Sequence, residues 1–299
     1  MRAYLERFLS ECEYPKEAIS ELLLSYDKLY TCCGNDFQIL IDEYGHRYDV
    51  DYSLAIEKMS ELAYASGIHE YTAHLLLFVC YTRELRRYYG ERGISLEIFR
   101  NTVLDLRYKL DECLCVNGVC GTFVAKWFSG FFRLERFALG RLQFEIVNFG
   151  DEYSANGLHL SPDSRVINVH IPRTGGRLDR ASTLESYRLA ADFFRPLIGD
   201  KIAFVCSSWL LFPRHREMLR PNSNLLAFMN DFDVYKSGEY PDYSEVWRLF
   251  DTRFGSDVAS LPSDSSLRRA YIELISRGEK TGWGKGVFDY SSLSLEREK

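Results

Sequence analysis

Residues 166–195 read VINVHIPRTGGRLDRASTLESYRLAADFFR. An apolar run leads into Arg-Thr-Gly-Gly, then a basic stretch, then a helical pattern. That is the order of a phosphate-holding loop. A helix N-terminus leaves backbone N–H groups unpaired and carries partial positive charge. Glycine lets an anion approach such amides with no Cβ in the way. Gly175 and Gly176 supply the open backbone here. From Arg165 to Arg180 there are four arginines and one acid, Asp179, a local surplus of +3 in a chain of formal net charge -6. An anion is the natural guest. The same residues also suit a plain strand–loop–helix crossover with surface arginines, and the pattern alone leaves both readings open.

Other candidates are weaker. GEKTGWGKG (278–286) is a second glycine-rich stretch, with Lys280 and Lys285, and reads as an anion site or as a hairpin tip. Of the eight cysteines none forms a C-x-x-C pair, so they read as buried reduced thiols rather than a metal site. His69 and His74 are five apart and miss the i, i+4 face a zinc helix needs, so no metal is expected.

The elements that would position these residues fall into two groups. Residues 1–115 read as helical. In LAIEKMSELAYA (54–65), Leu54, Met59, Leu62 and Ala63 form a stripe. Segment 71–89 reads as a buried helix with a basic last turn, stopping at Gly90. Ser95 caps a helix over 95–112. QILIDEYGHRYDVD (38–51) looks partly extended, with a turn at Gly45. The pattern changes at CVNGVCGT (115–122). ALGRLQFEIVNF (138–149) then alternates, with Leu142, Phe144 and Ile146 on one face and Gln143 and Glu145 on the other. RVINVHI (165–171) is a second strand, placing Val166, Asn168 and His170 opposite Ile167, Val169 and Ile171. A helix over 183–195 opens on the capping box Ser182-x-x-Glu185 and ends at Pro196. The apolar strand KIAFVC (201–206) follows, then DFDVY (231–235), EVWRLF (245–250), a helix over 264–277 opened by Ser263 or Asp264, and a short terminal strand. The fold class is α+β: a helical domain over 1–118, then a mixed, mostly antiparallel sheet flanked by helices over 119–299.

LGRLQFE (139–145), VINVHIPRTGG (166–176), the ES…A…FF helix (185–194), CSSWLLFP (206–213) and SLRRAYIELISRGEKTGWGKGVF (266–288) stand in an order that resembles a bacterial two-domain N-acyltransferase family with a GNAT-like C-terminal domain. The likeness spans nearly the whole chain. It implies a strand splayed from its neighbour and a following loop that cradles the pyrophosphate of an acyl-CoA co-substrate, acetyl-CoA included. Arg173, Thr174, Gly175, Gly176, Arg177 and Ser182 would hold that pyrophosphate. The backbone at Val169 and Ile171 would align the pantetheine, and Ser207 would shape its groove. The family's loop wants a small residue where Leu178 stands, so Arg177–Ala181 reads as an insertion. HIPRTGG also resembles the HIPKTGG loop of carbohydrate sulfotransferases, which binds a phosphosulfate donor, with Arg173 in place of that family's lysine.

Acyl transfer from CoA to an amine needs a polarised carbonyl, a base for the amine and a proton for the thiolate. Glu145 or His170 would be the base, by direct transfer, and Tyr235 the acid. Cys206 would serve only in a ping-pong variant and otherwise reads as a buried inert thiol. A decayed, non-catalytic CoA-binding or scaffold protein is the third reading. The acceptor would be a small-molecule or peptide amine. The acidic balance argues against nucleic acid, and no run of about 18 apolar residues exists to span a membrane. With no signal-peptide core the expected location is the cytoplasm. The oligomeric state is left open, a homodimer included.

Overall fold

The structure is a computed structural model that describes residues 1–45, 50–255 and 257–291. The chain divides into two compact units, Met1–Ala138 and Leu139–Lys299.

The first unit is helical: α1 (Arg2–Glu11), α2 (Lys16–Gly45), α3 (Tyr52–Ser66), α4 (Glu70–Glu91), α5 (Leu96–Asn117) and the single turn α6 (Ser129–Phe132). Every residue of α4 from Thr72 to Thr82 is buried. A helix apolar all round belongs in the middle of a bundle. It runs through Gly90 rather than stopping there and is capped at Arg92. The stretch expected to be extended from residue 38 is instead the last part of α2, because Phe37, Leu40, Ile41 and Tyr44 are buried at helical steps; residues 46–49 lie outside the described ones. On α3 the buried stripe is Ala55, Ile56, Met59 and Ala63, and the expected Leu54 is 47% exposed. Ser95 caps α5 as read, accepting from the Ile98 amide at 3.2 Å. His69 is the N-cap of α4, and His74 meets Ser60 Oγ at 2.8 Å. Two cysteines read as buried, Cys32 and Cys115, are exposed. Among the described residues no helix is long and apolar enough to cross a membrane.

The division falls later than the 118/119 boundary read from the glycines. Residues 119–138 belong by packing to the helices. Phe128 and Phe132 stand 5.2 and 5.1 Å from the Phe78 ring of α4. Trp127 Nε1 donates to Asp105 Oδ2 at 2.8 Å, and the Arg136 guanidinium lies 3.8 Å over the Trp127 ring.

A short strand at the division, β1 (Arg136–Leu139), leads into the second unit. There follow β2 (Leu142–Asn148), β3 (Tyr153–Ala155), β4 (Leu158–Leu160), β5 (Arg165–His170), α7 (Arg180–Ile198), β6 (Ala203–Ser208), α8 (His215–Met218), α9 (Asn224–Met229), β7 (Asp233–Glu239), α10 (Trp247–Phe250), α11 (Ser266–Ser276) and β8 (Gly282–Asp289). The sheet order is β2-β5-β6-β8-β7, with β5 and β6 parallel and the other neighbours antiparallel. β3 and β4 form a separate hairpin around Asn156-Gly157. EVWRLF is a 3₁₀ turn followed by α10, not extended, because Val246 and Phe250 are buried one helical turn apart. α11 is capped by Ser265, one residue beyond the expected caps.

The two sheet faces differ. On one, the Tyr187 ring of α7 lies 5.0–6.4 Å from Phe144, Phe204 and Phe288. On the other, Val166, Val205 and Val287 pack with Phe149 and the half-buried Tyr235. GEKTGWGKG is neither hairpin tip nor phosphate loop, because its second half is strand β8 between β6 and β7.

His215 is wholly buried near α11, its Nε2 2.7 Å from Tyr271 Oη and its Nδ1 3.2 Å from Leu210 O. Burial pushes its pKa down to about 4. An unfolded histidine titrates near ~6.5. Between those values the unfolded chain binds the extra proton, so stability is lost as pH falls through this window. The denaturation midpoint of the wild-type protein is expected to decline from pH 6.5 to 4, with a slope contribution of at most about 1.4 kcal/mol per pH unit. His215→Gln should flatten that decline; an unchanged pH profile would rule this histidine out as its source.

Candidate functional site

Register brings the titratable residues together. β2 and β5 are antiparallel, and Glu145 stands opposite Asn168 while Gln143 stands opposite His170. Alternation turns Glu145, Asn168 and His170 to one face, the face of Val166 and away from Tyr187. There His170 Nε2 lies 2.7 Å from Glu145 Oε1, and Asn168 Nδ2 donates to the same oxygen at 3.2 Å. Both members of the pair are largely but not wholly buried, at 21% and 14% side-chain exposure, so a substrate can reach them. Two acceptors cannot sit 2.7 Å apart without a proton between them. Asn168 Nδ2 also lies 3.1 Å from Nε2, so all three side chains share one hydrogen-bonded cluster.

The backbone beside this pair opens. β5 stays paired with β2 to its last residue, His170, and β6 with β8 to Ser208. Between β5 and β6 the described pairs are Ile167 with Phe204 and Asn168 with Val205. The two parallel strands therefore part beyond Asn168, at the level of Val169–Ile171 on one side and Cys206–Ser208 on the other. Val169 is buried, while Ser207 is exposed on β6. Ser208 accepts from the Leu210 amide at 3.1 Å and so caps the next turn. Cys206 is fully buried, and burial drives its thiol pKa well up. That state suits a structural thiol and not a nucleophile.

The loop after β5 is held from below. Arg141, in the turn before β2, donates to Pro172 O at 2.8 Å and to Gly176 O at 3.2 Å, pinning both ends of PRTGG. Thr174 Oγ1 accepts from the Gly176 amide at 3.3 Å. Gly175 has φ +74°, with no atom within 4 Å of where a Cβ would stand. That open, left-handed position is what an anion cradle requires. Arg177 is exposed. Arg173 is ion-paired with Asp251 and Arg180 with the nearly buried Asp231, so carboxylates from distant segments offset part of the local positive charge.

The helix start differs from the sequence reading. Asp179, not Ser182, is the N-cap of α7, accepting from the Ser182 amide at 2.9 Å. The Ser182 hydroxyl donates to Asp179 O, and Glu185 pairs with Arg188, so no capping box forms. Pro196 lies inside the last turn, and the helix ends at Ile198. Arg177–Ala181 thus brings the helix cap and the Arg180 anchor. The Tyr235 hydroxyl donates to Asp151 Oδ2 at 3.1 Å, where Lys285 Nζ arrives at 2.6 Å. Burial and the Asp151 carboxylate hold its pKa far above the usual tyrosine value. Asn168, Arg141 and Asp251 carry parts of this arrangement that sequence reasoning did not single out. For Arg141 a signal existed, an arginine directly after the turn glycine Gly140.

Comparison with known proteins places the chain in a family. Residues 136–288 match the GNAT-like C-terminal domain family, and residues 3–134 match the N-acyltransferase N-terminal domain. The chain belongs to the GNAT-like family. It is an acyltransferase. Similar solved structures include an acyltransferase in complex with decanoyl-CoA and teicoplanin, at 22% identity and TM-score 0.73, covering 95% of this chain and 86% of that one. An acyltransferase mutant in complex with octanoyl-CoA is similar at the same identity, coverage and TM-score. At that identity the likeness speaks to the fold. No curated protein matches the chain. The family match does not favour the phosphosulfate alternative for HIPRTGG.

Proposed function

We propose that this acyltransferase moves an acyl group from acyl-CoA to an amine by direct transfer. The observation that carries the reading is the parting of β5 from β6 beside the Glu145–His170 pair. Unpaired backbone there can hydrogen-bond the amide-rich pantetheine as a missing strand would. The pyrophosphate would lie on the loop of Arg173, Thr174, Gly175, Gly176 and Arg177, with Arg141 keeping that loop in shape.

The His170 imidazole accepts a proton as the amine nitrogen attacks the thioester carbonyl. Glu145 orients the imidazole and stabilises the imidazolium, the role a buried carboxylate plays beside a catalytic histidine. The new C–N bond forms, the C–S bond breaks, and the imidazolium returns its proton to the departing thiolate. Tyr235, whose proton is directed at Asp151, braces Asp151 and Lys285 in this scheme. Decanoyl-CoA and octanoyl-CoA in the structural neighbours, and teicoplanin in one of them, support acyl-CoA donors beyond acetyl and a small-molecule acceptor.

Saturating acetyl-CoA or a longer acyl-CoA is expected to raise the Tm, since a ligand at 100 times its Kd stabilises by about 2.7 kcal/mol. Gly176→Asp should abolish the rise, because it sets a carboxylate in the anion loop where only ordinary contacts surround a new Cβ. No shift with any acyl-CoA at millimolar concentration would refute the donor assignment.

A further inference from the structure

The Arg173 side chain has two claimants. In the structure its guanidinium is paired with Asp251, whereas the proposed function assigns it to the donor's pyrophosphate. Asp251 is an unusual residue for its place. It caps α10 in the left-handed region, at φ +61°, where glycine is the ordinary choice. Aspartate tolerates the left-handed region better than most side chains, and its carboxylate is engaged on both sides.

The two arginines on that carboxylate are not equivalent. Arg268 is fixed: it donates to Asp251 Oδ2 at 2.6 Å, to Asp264 Oδ1 at 2.9 Å and to Leu249 O at 2.9 Å, and its side chain is only 16% exposed. Arg173 is 41% exposed and lies in the loop itself. Asp251 is therefore a bracket anchored by Arg268, and Arg173 is the partner that can leave.

We propose that Asp251 is a positioning residue that sets donor affinity by competing with the pyrophosphate of acyl-CoA for Arg173. Without donor, the pair satisfies Arg173 and presets the loop. Donor binding exchanges the Asp251 carboxylate for phosphate oxygens, so part of the donor's binding energy is spent breaking the pair. The inference rests on the acyl-CoA reading of the same loop.

Calorimetric titration of the full chain with CoA tests it. Asp251→Asn is expected to bind CoA about twofold to fivefold more tightly than wild type, the range a part-exposed ion pair is worth. Asp251→Gly should do the same while folding at least as well, because glycine suits the left-handed backbone. Arg173→Met should weaken binding, and adding Asp251→Asn to it should bring no gain. Asp264→Asn, which touches Arg268 but not Arg173, should leave the affinity at the wild-type value. Unchanged or weaker binding in both Asp251 variants, or a gain that persists without Arg173, would overturn the proposal. Wild-type protein that does not bind CoA would instead remove the donor reading, and this inference with it.

Discussion

Replacing His170 with alanine is expected to lower kcat for amine acylation by about 10²–10⁴-fold, the usual contribution of a positioned general base. The KM for acyl-CoA should change little, because the donor is held by the loop and the parted strands rather than by the imidazole. The reason is geometric. Glu145 sits 2.7 Å from Nε2 and engages that nitrogen, and the proposed scheme gives the proton-accepting role to the imidazole. Glu145→Gln should be intermediate, since an amide still reaches the ring but lacks the charge that stabilises the imidazolium. Release of free thiol from acyl-CoA, measured with and without an amine acceptor, reads both variants. A His170→Ala enzyme with wild-type kcat would remove the base from the scheme. Retained Tm elevation by CoA in both variants would show that the fold and donor site survive.

Gly284→Ala is expected to be among the most destabilising single methyl additions in the C-terminal unit. A Cβ built at Gly284 stands 2.2 Å from Leu211 O and 2.8 Å from Leu211 C. Gly282, on the same side of β8, is likewise crowded by backbone, Gly238 O at 2.4 Å, and by the Phe212 ring, and Gly286 by Phe232. The obstacle at Gly284 is backbone, which cannot swing aside as a side-chain tip can. Overpacking typically costs about 1–3 kcal/mol, and a fixed carbonyl places this site at the top of that range. At about 2–4 °C per kcal/mol for a unit of this size, Tm should fall by roughly 6–12 °C. Gly90→Ala is the contrast, a helical glycine with nothing within 4 Å of its Cβ position. It should stabilise by about 0.5–1 kcal/mol through the unfolded chain. A Gly284→Ala protein melting with wild type would show that the strand and the 209–211 turn do not pack this closely in solution.

The GWGKG glycines show where sequence reading stopped. Lysine and glycine together suggest an anion loop or a hairpin, yet the spacing 282, 284, 286 is a strand period. What the glycines accommodate, the Leu211 and Phe232 segments, is remote in sequence. The side-chain placement on β5 was more legible. Period-two alternation in VINVHI put Asn168 and His170 on one face, and alternation in LGRLQFE put Glu145 on one face of its own strand. What alternation does not provide is register, and register is what sets Glu145 against His170. The 173–176 loop does follow β5, but two of the nearby arginines are not spare charge. Asp231 and Asp251, dozens of residues downstream, take up two of them. The helix start was misread for a local reason: Ser182-x-x-Glu185 has capping-box spacing, but Asp179 accepts the Ser182 amide first, and Glu185 turns to Arg188. The helical unit was legible as helix, and its later boundary was not, because Phe128 and Phe132 declare themselves only by packing on Phe78.

The most direct test is a crystal structure of the protein with a non-reactive thioether analogue of acyl-CoA. The pantetheine is expected to lie between β5 and β6 beyond Asn168 and Val205, with the pyrophosphate on residues 173–177 and the acyl carbon on the face that carries Glu145 and His170. An analogue bound elsewhere on the protein, with β5 and β6 left empty between them, would contradict the assignment.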